Sequence, residues 1–348
     1  MKNKVTIQDI ADALGISRNT VSKAINNSDG LAEATRERIL NKAVEMGYKQ
    51  FSYVTSLAKT AQSAPSENHM LNGFQGEIAL FTTMFLTQSH FASLMLDKFQ
   101  QEITLLGYTL NTHRVTPENL RDGSLPITFI PERCSAIICI EMFDRSYDEM
   151  VCELGIPVLF VDGPSKHDGI SLPADQLYMD NTTEITRFVL DMLEKGYRRI
   201  GWIGQYHHCQ SFFERYSAFR LAMLMEDVPV DSRFIINYNE DDGLLQALTD
   251  LPELPDLFVC ANDFVARDSM RILAAMGKKV PQDVMICGFD DSAESRMTDP
   301  PLTTVHIHTQ IMAFTAMHLL MTRIREPSLD FRTVHTEADL IYRASTGD

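Results

Sequence analysis

No apolar run in this chain approaches the roughly 20 residues that a helical membrane span needs, which excludes that class of protein. The opening MKNKVTIQDIADALG lacks the unbroken apolar stretch of a secretory signal, so the protein is expected to stay in the cytoplasm. Its six cysteines (Cys134, Cys139, Cys152, Cys209, Cys260, Cys287) show no C-x-x-C spacing and lie in apolar surroundings. Reduced, buried thiols are expected, with neither a disulfide framework nor a structural metal. Nor does the chain carry a G-x-G-x-x-G, P-loop or G-x-S-x-G element in position, and its carboxylates have no evident nucleophile partner, which argues against an enzyme and against a cofactor.

Positive charge is scarce as well. The 348 residues hold 31 Lys+Arg against 47 Asp+Glu, a net charge of -16. That balance is wrong for a nucleic-acid binder until it is divided along the chain. Residues 1–62 hold nine Lys+Arg and six Asp+Glu, for +3, whereas the remaining 22 against 41 give -19. Only the amino-terminal part can approach phosphate favourably, and the acidic remainder discourages nonspecific adhesion. The length exceeds one ordinary core, so two or three compact units are expected.

The amino-terminal segment TIQDIADALGISRNTVSKAIN carries the clearest local signals. Thr6 followed three residues later by Asp9 caps a first helix, in which Ile7, Ile10, Ala11 and Leu14 keep helical spacing. Gly15 breaks that helix, Ile16 plugs the turn, and Ser17 caps a second helix with Val21, Ala24 and Ile25 on one face. A third helix is expected over 35–46, with Ile39, Leu40, Ala43 and Met46 as its buried stripe and Gly47 as its stop. Two short helices around a tight glycine turn, closed by a third, form a helix-turn-helix. The second helix leaves Arg18, Asn19, Ser22, Lys23 and Asn26 outside, polar groups suited to base edges and phosphates; the plain alternative is a solvated helix face.

The whole run VTIQDIADALGISRNTVSKAINNSDGLAEATRERILNKAVEMGY resembles the head of the LacI/GalR family of bacterial regulators. The resemblance implies that Arg18, Asn19 and Lys23 read the major groove, with Thr6, Ser17, Thr20 and Asn26 nearer the phosphate backbone. Two positions depart from the pattern. Lys23 stands where many members have Arg, turning a bidentate guanine contact into a single-point one. Ala32 stands where a Ser cap is usual before the third helix, a local loss of roughly 1 kcal/mol.

Residues 49–75 are polar and carry Pro65 and Gly73, as a linker does. The resemblance places a hinge helix here, whose Leu57 wedges into the minor groove at the operator centre. Gln50-Phe51 replaces the usual Pro-Asn and Val54 a common Ala, so an ordinary apolar contact in the linker is the other reading of Leu57.

From Glu77 onward, short apolar strands (EIALFT, YTLNT, AIICI, PVLFV, RIGWIG, FIINY, DLFVCA, VMICGF) alternate with amphipathic helices. That alternation means doubly wound parallel sheets, which bind ligands at the carboxyl ends of their strands. Polar residues stand at those ends: Asp162, Asn262, Asp263, Asp290 and Asp291. The same family resemblance continues through LEKGYRRIGWIG, ERYSAF, CANDFVA, VPQDVMICGFDD, PPLTTV and YRAST. It implies an all-α head followed by an α/β periplasmic-binding-protein-like sensor of two subdomains. The expected division is 1–48 for the head, 49–75 for hinge and linker, and 76–346 for a sensing and dimerising domain. Its first subdomain would hold about 76–179 and 308–330, its second about 180–305 and 331–346.

The resemblance further implies that Arg215, Asn262 and Asp290 hydrogen-bond ligand hydroxyls with Asp162 from the other subdomain, a set of donors and acceptors suited to vicinal hydroxyls or a carboxylate. The loop TTMFLTQSHF, with Thr83, Ser89 and His90, takes the ligand-facing position beside Phe91, whose ring would stack on a sugar face. Duller readings compete: Asp263 and Asp291 as helix caps, Phe91 as a core residue, Trp202 as core, and His207-His208-Cys209 as a cleft-side loop rather than a zinc site. Read together, these features predict a DNA-binding regulator, a repressor in the first instance, that acts as a homodimer on a pseudo-palindromic operator under control of a sugar. A nucleobase or nucleoside, or a phosphoprotein partner, is the alternative effector. No leucine heptads follow YRAST, so dimers rather than tetramers are expected.

Overall fold

A computed structural model describes residues 6–25, 32, 35, 36, 38, 39, 42, 43, 46, 74–84, 91–166, 169–238 and 243–347. Asn26, Leu57, Ser89 and His90, all singled out above, lie outside the described residues. The chain divides into two compact units, Met1–Gly73 and Phe74–Asp348.

In the first unit, α1 spans Ile7–Leu14 and α2 spans Arg18–Ile25. The capping box forms as read: the Thr6 amide donates to Asp9 Oδ2 at 2.7 Å, and the Asp9 amide donates to Thr6 Oγ1 at 3.3 Å. Such a cap stabilises a helix by about 1 kcal/mol. Gly15 ends α1 at φ +65°, where a side chain would be strained. Ser17 then starts α2, its Oγ accepting from the Thr20 amide at 3.0 Å. Ile10, Ala11, Val21, Ala24, Ile39 and Ala43 form the miniature core, with Leu14, Ile16 and Met46 packed against it. Arg38, from the segment expected to be the third helix, donates to the Leu14 carbonyl at 3.3 Å. That bond occupies one of the acceptors left over where α1 ends.

The second unit contains two parallel sheets. The strands of the first are β1 (Gly76–Thr82), β2 (Tyr108–Arg114), β3 (Cys134–Ile140), β4 (Val158–Val161), β5 (Asp175–Met179) and, far later in the chain, β11 (Thr333–Thr336). Their spatial order is β11-β5-β4-β3-β1-β2. The second sheet has β6 (Ile200–Ile203), β7 (Ile235–Ile236), β8 (Leu257–Cys260) and β9 (Met285–Cys287) in the order β7-β6-β8-β9. An antiparallel pair, β10 (Thr304–Ile307) and β12 (Ala338–Ile341), extends it through bridges from Cys287 to Thr303 and from Asp290 to His306. Apolar residues fill both faces of the central strands, as parallel sheets covered by helices require. Among the described residues no helix is long and apolar enough to cross a membrane.

The helices used below are α3 (Ala92–Leu105), α4 (Pro117–Asp122), α5 (Arg145–Cys152), α6 (Thr183–Glu194), α7 (Gln210–Met225), α8 (Gly243–Thr249), α9 (Asp263–Ala275) and α10 (Thr309–Arg325). The chain crosses between the sheets three times: after β5, after β10, and between β11 (Thr333–Thr336) and β12. Here the expected division needs a correction. Residues 331–336 were assigned to the second subdomain, but β11 pairs with β5 of the first sheet. The cause is a buried carboxylate: Asp175 accepts from Arg323 Nη2 at 3.0 Å and Nε at 3.1 Å, from Arg332 Nη2 at 3.0 Å, and from the Arg332 amide at 2.8 Å. Burial alone would raise the Asp175 pKa, but the two guanidinium groups outweigh it and hold the carboxyl below its usual range. With α10 and the approach to β11 both tied to the head of β5, the strand that follows joins that sheet.

A second buried carboxylate is not compensated in this way. Asp148 on α5 is fully buried beneath the first sheet, and neither of its oxygens has a hydrogen-bond partner among the described residues. Burial, with Asp144 and Glu149 nearby, pushes its pKa up to about 8. Since the folded value lies above the ordinary 3.8, this site favours folding fully below about pH 4 and progressively less as pH rises toward 8. Asp148→Asn should therefore flatten the pH dependence of urea unfolding between pH 5 and 8. It should stabilise the protein by about 1–3 kcal/mol at pH 8; an unchanged slope would contradict this account.

Candidate effector cleft and operator-reading helix

The carboxyl ends of the two sheets face a cavity of about 150 Å³. All five residues expected to face a ligand line it: Phe91, Asp162, Arg215, Asn262 and Asp290. Each is delivered by a different stretch of the fold. Asp162 directly follows β4, Arg215 sits on α7, Asn262 precedes α9, Asp290 follows β9, and Phe91 precedes α3.

Arg215 is the organising side chain. It is only 3% exposed. Its Nε donates to Asn181 Oδ1 at 2.9 Å and its Nη1 to the Ala261 carbonyl at 2.7 Å, while Nη1 lies 3.9 Å from Asp290 Oδ1. The guanidinium carbon stands 3.5 Å from the ring centre of Phe289, a stacked cation-π contact. Asn181, itself fully buried on the first crossing, also donates to Ser211 Oγ at 3.2 Å and to Glu214 Oε2 at 2.8 Å. The segment that joins the two sheets is thereby fixed to the helix that carries Arg215.

The acidic residues are held under strain. Glu141, Asp162 and Asp290 all have positive φ, of 52°, 53° and 119°, where a residue other than glycine is costly. Each directly or nearly follows a strand, and the unusual backbone turns the side chain into the space beyond the sheet. Asp162 Oδ1 accepts from Ser211 Oγ at 2.8 Å across the cleft. Burial raises its pKa to about 6, against the pull of Arg215 and Ser211 in the other direction.

Neighbouring residues settle the competing readings of the sequence. Asp263 is no helix cap; Asn262 takes that role, its Oδ1 accepting from the Val265 amide at 3.0 Å. Asp263 instead accepts from Thr304 Oγ1 at 2.6 Å and the Ser292 amide at 2.8 Å, and burial beside Asp290 raises its pKa. Asp291 is not a cap either. It gathers Arg296 Nη2 at 2.6 Å, His306 Nδ1 at 3.0 Å and Arg343, which together hold its carboxyl well below the usual range although burial opposes them. Trp202 is core, with no exposed surface. Thr83 is described but does not line the cavity.

The cleft-side reading of His208 and Cys209 agrees with their place in the lining, whereas sequence reasoning missed Glu141, Phe143, Phe212 and Phe264. Phe143 meets His208 at 4.8 Å between ring centres, His208 meets Phe212 at 5.5 Å, and Phe212 meets the Arg215 guanidinium at 5.6 Å. One wall of the cleft is therefore a continuous aromatic run. Two signals were available: Glu141 follows AIICI as Asp162 follows PVLFV, and Phe212 stands three residues before Arg215, on the same face of a helix.

In the head, Ser17, Arg18, Asn19 and Lys23 are exposed, Thr20 and Ser22 are half-buried, and Thr6 is exposed at the start of α1. The structure thus presents the expected reading residues of α2 on the side opposite its core face of Val21 and Ala24.

Comparison with known proteins agrees with both halves. Residues 6–50 match the bacterial regulatory proteins of the lacI family, and residues 189–346 match the periplasmic binding protein-like domain. The chain belongs to the LacI family of transcriptional regulators. It is 29% identical to the HTH-type transcriptional regulator GalR of Lacticaseibacillus casei, over 98% of this chain and 99% of that one. Identity to the regulator CelR of Thermobifida fusca is 25%, over 99% of each. The HTH-type transcriptional repressor PurR of Vibrio parahaemolyticus is 28% identical over 97% of each. Among solved structures, a CelR-cellobiose complex superposes with a TM-score of 0.67 at 24% identity, covering 98% of this chain and 99% of that one. The lac repressor dimer bound to operator and the anti-inducer ONPF superposes with a TM-score of 0.64 at 19% identity, covering 99% of each. These likenesses show the fold, and the curated relatives are regulators rather than enzymes.

Because Arg215 is buried with its partners, removing it takes a donor from Asn181 Oδ1 and from the Ala261 carbonyl and a cation from beside Asp290. Arg215→Ala should lower the free energy of unfolding by about 3 kcal/mol, read from urea denaturation. A loss below about 0.5 kcal/mol would show that the guanidinium organises nothing.

Proposed function

We propose that this LacI-family regulator is a repressor that binds a pseudo-palindromic operator as a homodimer and is controlled by a sugar held in the cleft. The observation that carries the reading is the convergence of Phe91, Asp162, Arg215, Asn262 and Asp290 on one cavity from five separate stretches of chain. A planar fork of donors, carboxylate acceptors, an amide and apolar rings form the complement of a sugar, which offers hydroxyls at its rim and C–H groups on its faces. The control is linkage. A ligand that favours one arrangement of the two lobes shifts the arrangement presented to DNA by its differential affinity. Arg18, Asn19 and Lys23 read bases, while Thr6, Ser17, Thr20, Ser22 and Asn26 hold the phosphate backbone, with Leu57 at the operator centre.

A nucleobase is the second reading. It is favoured by the aromatic wall of Phe143, His208 and Phe212, which suits a flat ring, and by the likeness to PurR. Thermal melting with D-galactose and cellobiose on one side, and guanine and hypoxanthine on the other, separates the two, because a bound ligand raises the midpoint by mass action.

The DNA reading is tested by selecting operators from a random-sequence pool. Arg18→Ala should relax preference at one position in each half-site, at a cost of about 1–3 kcal/mol, whereas Lys23→Ala should also flatten the salt dependence. Arg215→Lys should weaken the response to effector at least about tenfold while operator affinity stays within about twofold. A selected pool without any recurring duplex sequence would refute this function.

A further inference from the structure

Resting on the sugar reading of the cleft, we infer that the effector carries no anionic group, and that Glu141 is a specificity-determining residue that turns away phosphorylated and carboxylated ligands. Three carboxylates line the cavity, those of Glu141, Asp162 and Asp290, against a single guanidinium. Asp263 adds a fourth carboxyl just behind Asp290. Among the described lining residues Arg215 is the one Lys or Arg.

That guanidinium is already committed. Its Nε donates to Asn181, its Nη1 donates to the Ala261 carbonyl and lies beside Asp290, and its face is stacked on Phe289. Capturing a phosphate or carboxylate tightly calls for a bidentate fork or several cations. What remains of Arg215 suits neutral hydroxyl oxygens.

Two of the helix amino termini at the cavity are already engaged. The first turn of α9 is capped by Asn262, and Ser211 in the first turn of α7 donates to Asp162. His208, the other basic group among the described lining residues, is held toward its neutral form by burial. An anionic ligand would enter a small cavity against an excess of like charge. A neutral polyol finds three acceptors for its hydroxyl protons.

Glu141 is the residue that sets this balance. Asp162 and Asp290 belong to the expected ligand-holding set and meet Ser211 and Arg215, and Glu141 adds a third carboxylate to the lining at the end of β3. It does so from a strained backbone at φ 52°. Replacing it with its uncharged isostere removes one charge and keeps the shape.

The experiment pairs each neutral sugar with an anionic counterpart on the full-length protein: D-glucose with glucose 6-phosphate, D-galactose with galacturonate, and cellobiose with cellobionate. Melting midpoints and titration calorimetry are recorded for the natural protein, for Glu141→Gln and for the charge-retaining Glu141→Asp. We expect at least one neutral sugar to bind and its anionic counterpart to bind at least about tenfold more weakly. In Glu141→Gln that gap should shrink at least about threefold, while Glu141→Asp keeps it. An anionic member that binds as well as its neutral counterpart overturns the inference and leaves the sugar reading standing. A gap unchanged in Glu141→Gln overturns the role of Glu141. If neither member of any pair binds, the sugar reading itself falls, and this inference with it.

Discussion

A guanidinium that is almost wholly out of water is the constraint on which the cleft depends. Burying a charge of that kind is unfavourable unless each of its faces and donors meets a partner. Here the partners come from four places: the amide of Asn181 on the first crossing, the carbonyl that ends β8, the carboxylate after β9, and the ring of Phe289. Satisfying Arg215 therefore fixes how the strand ends of the second sheet stand relative to the segment that leaves the first. The ligand-facing geometry follows from a requirement of burial, not from any preference of the individual loops.

Three further carboxylates show how differently the same group behaves in this interior. Asp175 and Asp291 are each clasped by two arginines and stay ionised, joining distant segments of chain. Asp148 has no hydrogen-bond partner among the described residues and is forced toward its neutral form. The first two act as structural ties, and the last is a local weakness beneath the first sheet. Near the cavity, Asp162 lies between these extremes, since burial and its donors pull in opposite directions.

Much of this was legible in the residues. Thr6, Asp9, Gly15 and Ser17 act through contacts within three residues of themselves, so their roles could be read without knowing the rest of the fold. The five cavity residues were also within reach, because strand ends and family-like motifs mark them. What could not be read depends on distant partners. Nothing near Asp291 in sequence announces Arg343, and nothing near β11 announces that Asp175 will hold it. The strand DQLYM (β5) was hidden for a related reason: its polar first residues look exposed, yet they are buried because arginines from far along the chain neutralise Asp175. The aromatic wall was missed because its rings come from a loop, a turn and a helix and meet only in three dimensions.

The pairing of β11 with β5 has a consequence for biosynthesis. The amide of Arg332 bonds to Asp175 across 157 residues of sequence. A nascent chain emerging from the ribosome therefore carries the edge of β5 uncovered, with its buried acid unneutralised, throughout synthesis of the second lobe. Contacts this remote are slow to form and leave strand edges open to wrong partners. The first lobe begins earlier but is completed only after most of the second has been made.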